Sequence, residues 1–156
     1  MFQKQLSNLF TIIIVLTSFT GCAQSSIKST EAAKRWDAQY EHCTDIARAN
    51  TADFPENAWF DSLTLEDKKS VIGYLYNYNQ RICTAEETEL LRSAIAHDKN
   101  TELKSDYEEI LTPLDVTFAE RLEGIEKSEI LKIQAQYSEP FSIRHVLTQL
   151  DLYPKR

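Results

Sequence analysis

The chain has 156 residues, of which 24 are acidic and 17 basic, for a formal net charge of −7. Nucleic-acid binding is excluded on this balance, because phosphate backbones are held by clustered Lys and Arg and no such cluster occurs here. Adhesion to anionic lipid through a basic patch is disfavoured for the same reason.

The first element in chain order is a leader. The chain opens "MFQKQLSNLFTIIIVLTSFTGC", with Lys4 and the amino terminus as a short positive region and residues 9–19 as an apolar run. Small residues follow, which is the plan of an export signal. The run is too short to cross a bilayer, which takes about 20 apolar residues. At its end Phe19, Thr20 and Gly21 precede Cys22. These four residues resemble the lipobox of bacterial membrane lipoproteins, in which a large aliphatic residue and two small ones precede an obligatory cysteine; Phe19 stands where leucine is usual.

The resemblance covers residues 1–22 only. It implies that residues 1–21 are a signal peptide that is removed, and that Cys22 becomes an acylated N-terminus embedded in the lipid bilayer. Two or more acyl chains give stable anchoring where one gives marginal binding. Ala23, in place of an aspartate, implies the periplasmic face of the outer membrane rather than the inner membrane. Residues 22–30 then form the acylated terminus and a flexible leash, of which 23–29 span about 20–25 Å if extended. Residues 31–156 form a single domain, long enough to bury a core. Loss of the leader removes one Lys and no acid, so the mature chain carries −8.

With Cys22 acylated, two of the three cysteines remain. In an oxidising compartment Cys43 and Cys83 are expected to pair. Two separate buried thiols are the alternative. A metal site is not supported, since there is no CxxC and His42 beside Cys43 does not supply spaced ligands.

The remaining elements read as helices. In "EAAKRWDAQYEHCTDIARA", Trp36, Tyr40, Cys43 and Ala47 recur on one face. "NTADFPENAWFDS" breaks the period, with Pro55 and Asn57 as turn formers and Phe54, Trp59 and Phe60 as anchors. A second helix starts behind a Thr64/Asp67 pair in capping-box spacing, and a third behind Thr84/Glu87. Leu90, Leu91, Ala94 and Ile95 form the stripe of that third helix. "TELKSDYEEIL" reads as a further helix. Another starts at Pro113 behind a Thr112 cap, with Leu114, Phe118, Leu122 and Ile125 on one face and Gly124 near its end. Ile130, Ile133 and Tyr137 mark the next, before Pro140, and "SIRHVLTQL" the last, behind a Ser142 cap. No stretch alternates with period two for long. The expected fold is all-α, a bundle of about five to six helices with one internal disulfide.

Pairing Cys43 with Cys83 constrains that bundle. A tight hairpin of the first two helices would leave these residues about 18 Å apart at 1.5 Å rise per residue, whereas a disulfide needs Cα atoms within about 7 Å. The 50–64 connection is therefore either a returning loop with its aromatics buried, which is preferred, or part of a steep crossing.

Chemistry is sparse. His42, His97 and His145 have no partner at i+4 for a metal, and no GxSxG, HExxH or Gly-rich phosphate loop occurs. His97 and Asp98 are adjacent and expected to point apart. Glu86, Glu87 and Glu89 sit in a helix's first turn, where acids complement the macrodipole. No metal, cofactor or enzymatic activity is implied. The stretch "VIGYLYNYNQ" covers more of a helix with apolar and aromatic residues than a surface helix requires. A central, surrounded helix explains it. The functional alternative is a groove in which Tyr74, Tyr76 and Tyr78 hold a partner helix or peptide.

The general plan of acylated cysteine, leash, helical bundle and disulfide resembles the helical secretin pilotins. That likeness implies a protein-interaction role: assembly or localisation of another envelope protein. An immunity or inhibitor lipoprotein that occludes a toxin or hydrolase is the alternative, and a cell-envelope enzyme ranks below both. The leader yields a direct prediction. Cys22→Ala should abolish acylation and leave an unprocessed or soluble species, scored by intact mass and by membrane fractionation.

Overall fold

A computed structural model describes residues 27–153. The expected leader over 1–21 and the acylation site Cys22 lie outside the described residues. Within them the chain forms helices and no strand. These are α1 (Ser29–Ala49), α2 (Ala58–Ser62), α3 (Leu65–Cys83), α4 (Ala85–Asp98), α5 (Thr101–Asp106), α6 (Glu108–Leu111), α7 (Leu114–Thr117), α8 (Lys127–Gln136) and α9 (Ile143–Gln149), with a 3₁₀ turn at Glu120–Leu122. The all-α expectation holds. Five helices reach seven residues or more, in line with the expected count; the others are single turns.

Helix α1 begins at Ser29, two residues before the expected start of the domain at 31. Its N-cap position, Lys28, offers no side-chain cap. The cap arrives from elsewhere: the Ser29 amide donates to Asp98 Oδ2 at 2.7 Å, and Asn100 Nδ2 donates to Ser29 Oγ at 3.2 Å. A carboxylate on free amides at a helix N-terminus is favourable through both hydrogen bond and dipole. The Ser29 amide, and then His97, hold the Asp98 carboxyl well below the usual range, at about 2. His97 and Asp98 do not point apart as expected. The imidazole Nδ1 lies 3.1 Å from Asp98 Oδ1, at the last turn of α4, just before Lys99 adopts a left-handed φ of 52°.

Two of the expected caps form. Thr64 Oγ1 accepts from the Asp67 amide at 3.2 Å, and Ser142 Oγ accepts from the His145 amide at 3.3 Å. The Thr84/Glu87 box does not. Helix α3 passes into α4 across Thr84 alone, so few amides there need capping, and Thr84 Oγ1 donates back to the Gln80 carbonyl at 3.1 Å. Glu87 pairs instead with Arg35 on α1 at 2.8 Å. Pro113 occupies the N-cap of α7 rather than its first turn, and Thr112 Oγ1 donates to the Glu108 carbonyl.

Two expected helices are broken up. The 101–111 stretch splits at Tyr107, whose ring turns edge-on to Trp36, with centroids 5.4 Å apart. The 113–125 stretch is one α-turn, a 3₁₀ turn and then Gly124 at φ 78°, a conformation that glycine adopts without strain.

The apolar residues divide into two clusters. In the larger one, Val71, Ile72, Tyr74 and Leu75 of α3 are enclosed by Phe54 and Phe60 from the 50–64 connection and by Leu114, Phe118, Ile130, Ile133, Tyr137, Phe141, Val146 and Leu152. The smaller cluster joins Ala32, Ala33 and Trp36 of α1 to Leu91, Ala94 and Ile95 of α4. Between them lies the Cys43–Cys83 disulfide, with Cα atoms 6.1 Å apart. Polar clamps add to it. Asn79, fully buried on α3, donates to the Tyr137 and Glu139 carbonyls at 2.8 and 3.0 Å. Asn50, just after α1, donates to the Pro140 carbonyl at 3.0 Å.

Two outcomes are expected. The disulfide closes a loop with a sequence separation of 40; in the chain-entropy treatment its loss costs about 4 kcal/mol. Cys43→Ser/Cys83→Ser should accordingly melt about 10 °C or more below the oxidised wild type, measured by calorimetry. Asp98 has a depressed folded pKa, so its stabilisation is complete above the unfolded value near 4 and is lost as pH falls through about 2. In urea titrations, the stability advantage of wild type over Asp98→Asn should be constant from pH 7 to 5 and shrink between pH 4 and 2.

Candidate functional site

The three α3 tyrosines do not form one groove. Tyr74 is 1% exposed, stacked edge-on against Phe118 and donating to Asp115 Oδ1 at 3.1 Å. Burial, and then that carboxylate, push its hydroxyl pKa far up. Its ring belongs to the core and offers no surface to a partner. Tyr78, one turn on, tilts against Tyr74 at 5.8 Å and is half-buried beside the same cluster. Tyr76 faces the other way, against Phe141 at 5.9 Å, with its hydroxyl directed toward Tyr40 and Gln80. A helix turns about 100° per residue, so positions i and i+4 share a face while i+2 does not.

What α3 does contribute to the surface is the other side of that seam. A cleft of about 320 Å³ opens between α1, α3 and α6, walled by Trp36 and Tyr40 on one side and Arg81, Glu109 and Ile110 on the other. Trp36 is locked in place. Its Nε1 donates to Thr88 Oγ1 at 3.0 Å, and Tyr107 packs edge-on behind it while donating to Asp37 at 2.7 Å. Burial and Asp37 push the Tyr107 hydroxyl up to about 12, so it stays a donor at any physiological pH. Tyr40 stacks on Trp36 with centroids 5.2 Å apart and planes 14° from parallel, and remains 40% exposed. An aromatic ring held flat on a fixed indole loses little freedom when something binds against it.

Arg81 is equally fixed. It donates to the carbonyls of Glu109, Ile110 and Thr112 at 2.8, 3.3 and 2.5 Å. These lie at and just beyond the C-terminal end of α6, where unpaired carbonyls favour a cation. Gln80 lies under the cleft, 5% exposed, with its amide beside the Tyr76 hydroxyl.

The cleft's volume lies at the small end of ligand sites. It fits one or two side chains of a docking segment. Among the described residues no group of three or more His, Cys, Asp or Glu is placed to hold a metal. His42 is exposed on α1, His97 is bonded to Asp98, and His145 lies on α9. Of the acids expected in the first turn of α4, Glu87 serves Arg35, and Glu89 pairs with Arg92 within α4.

Sequence patterning assigned Tyr40 to the buried stripe of α1 because it follows Trp36 by four. It lies instead at the stripe's edge, where α1 leaves α4 to approach α3. Arg81 gave no local signal, since its partners are backbone carbonyls some thirty positions away. No protein-family model matches the chain, and neither a curated protein nor a solved structure is significantly similar to it. Fold and site together define a class, a disulfide-clamped helical domain with an aromatic-walled cleft beside its crosslink.

Core and cleft tyrosines should separate cleanly by mutation. Tyr74→Ala should lose about 3–5 kcal/mol, whereas Tyr40→Ala should stay within about 1 kcal/mol of wild type, both read from urea unfolding.

Proposed function

We propose that this protein is a lipoprotein anchored to the periplasmic face of the outer membrane, where it acts as an interaction or assembly factor for an envelope complex. A short segment of its partner docks in the cleft between α1, α3 and α6. The anchoring rests on the resemblance of Phe19–Cys22 to the lipobox. The docking rests on one observation: Tyr40, exposed yet immobilised on Trp36, faces a fixed Arg81 across a cleft sized for side chains. Tyrosine, tryptophan and arginine are the residue types that carry most interface energy, and pre-organised ones lose least on binding.

Of the tyrosines expected to bind a partner, Tyr76 borders this seam from below, Tyr78 is partly covered, and Tyr74 supports the fold. The role passes to Tyr40.

The test is site-specific photocrosslinking in intact cells, with the reactive residue placed at Tyr40 and, as a control, at Leu131 on α8, which is also exposed. One envelope protein crosslinked from position 40 and not from 131, with co-purification cut at least about tenfold by Tyr40→Ala, is the expected result. Equal labelling from both positions would remove the cleft from the reading. Crosslinking only to an added toxin would replace the assembly role with the immunity one.

A further inference from the structure

A second cleft, of about 420 Å³, lies at the end of the molecule where the chain enters α1. Its cations come from three places: Arg92 on α4, Lys99 in the turn after it, and Lys104 on α5. Its floor is apolar, formed by Ile95, Ala96 and Leu111, and no acidic side chain lines it. In a protein with seven more acids than bases, that segregation runs against the average.

The cations differ in how they are held. Arg92 is fixed by Glu89 and by the Leu111 carbonyl. Lys99 and Lys104 are exposed, and among the described residues neither is in an ion pair. Lys99 also occupies the left-handed position that ends α4, at φ 52°, where glycine is the usual and less strained residue.

The location gives the cleft its meaning. Asn100 lines it and also bonds Ser29 Oγ, so the first residue of α1 sits at its rim. Seven residue steps separate Ser29 from Cys22, a reach of about 25 Å at most. A domain of this size has a radius of gyration of about 14 Å. An acyl anchor at Cys22 therefore keeps this end, rather than the opposite one, near the headgroups.

We infer that the cleft formed by Arg92, Lys99 and Lys104 over Ile95, Ala96 and Leu111 binds the headgroup of an anionic phospholipid and so orients the domain on the membrane that anchors it. Two charges complement the phosphate, the third closes the rim, and the apolar floor receives the glycerol and the first methylenes. Net charge argued against a basic patch on lipid; it is a sum over the whole surface, and the fold concentrates these three cations at one end. The inference rests on the lipid-anchor reading for its biological setting.

The experiment is native mass spectrometry of the full chain, purified in a nonionic detergent and titrated with phosphatidylglycerol or phosphatidylcholine. One bound phosphatidylglycerol is expected, with phosphatidylcholine retained at least about tenfold less. Lys99→Glu/Lys104→Glu should lower occupancy at least about tenfold. Lys99→Gln/Lys104→Gln, with melting temperature as a fold control, should give an intermediate loss. Equal retention of both lipids, undiminished retention by the variants, or equal binding of inorganic phosphate alone would overturn the proposal. The mass of the mature chain in the same spectra reports acylation of Cys22, so failure of the anchor and failure of the cleft are read separately.

Discussion

The Cys43–Cys83 bridge is the constraint on which the rest of this structure depends. It joins the second half of α1 to the last residue of α3, two helices that belong mainly to different apolar clusters. Helix α1 buries its first half against α4, while α3 is the centre of the larger cluster. Without a covalent tie, the interface between the clusters would rest on Cys43 and Ala47, both small, and on a few hydrogen bonds. Gln39 completes the junction by donating to the Cys83 carbonyl at 3.0 Å. The bridge holds closed a seam that apolar area alone would hold weakly.

The cleft is a consequence of that seam. Two clusters meeting at an angle leave a surface groove, and here its walls are set from both sides: Trp36 and Tyr40 from the α1–α4 unit, Arg81 from α3. Polar groups that serve the junction are consequently concentrated around it. Asn79 and Arg81 hold backbone carbonyls of distant turns, and Gln80, between them, holds none. Backbone carbonyls left over at helix ends must be paired when they are drawn inside, and α3 supplies the donors. One helix thus supports the core, the junction and the site, which explains why its sequence is richer in aromatics and amides than a surface helix needs.

How much of this was legible follows from how local each signal is. The long helices, the Thr64 and Ser142 caps and the disulfide depend on periodicity, on neighbours three positions away and on a count of cysteines, and each was readable. The stretches 101–111 and 113–125 have helical periodicity too, yet they break: the first turns at Tyr107, which packs on Trp36 and reaches Asp37, and the second passes through a 3₁₀ turn to Gly124 at φ 78°. Thr84 and Glu87 have capping-box spacing and do not use it, since α3 supplies a carbonyl to one and α1 a guanidinium to the other. The tyrosines of α3 looked equivalent in the sequence, where a run of alternating tyrosines carries no mark of which one faces inward.

The sequence by itself determined the class of fold and the residues that close it: helical periodicity, few glycines, and two cysteines, Cys43 and Cys83, within the helical stretch. These are properties of short segments, and short segments fix their own helices. Only the tertiary structure decided which tyrosine is exposed, where α1 begins, and which cations meet. Ser29 is capped by Asp98, 69 positions away, and the rotation of one helix against another decides whether position 40 or 74 faces solvent. That rotation is set by the packing of both helices at once, and no single stretch of chain encodes it.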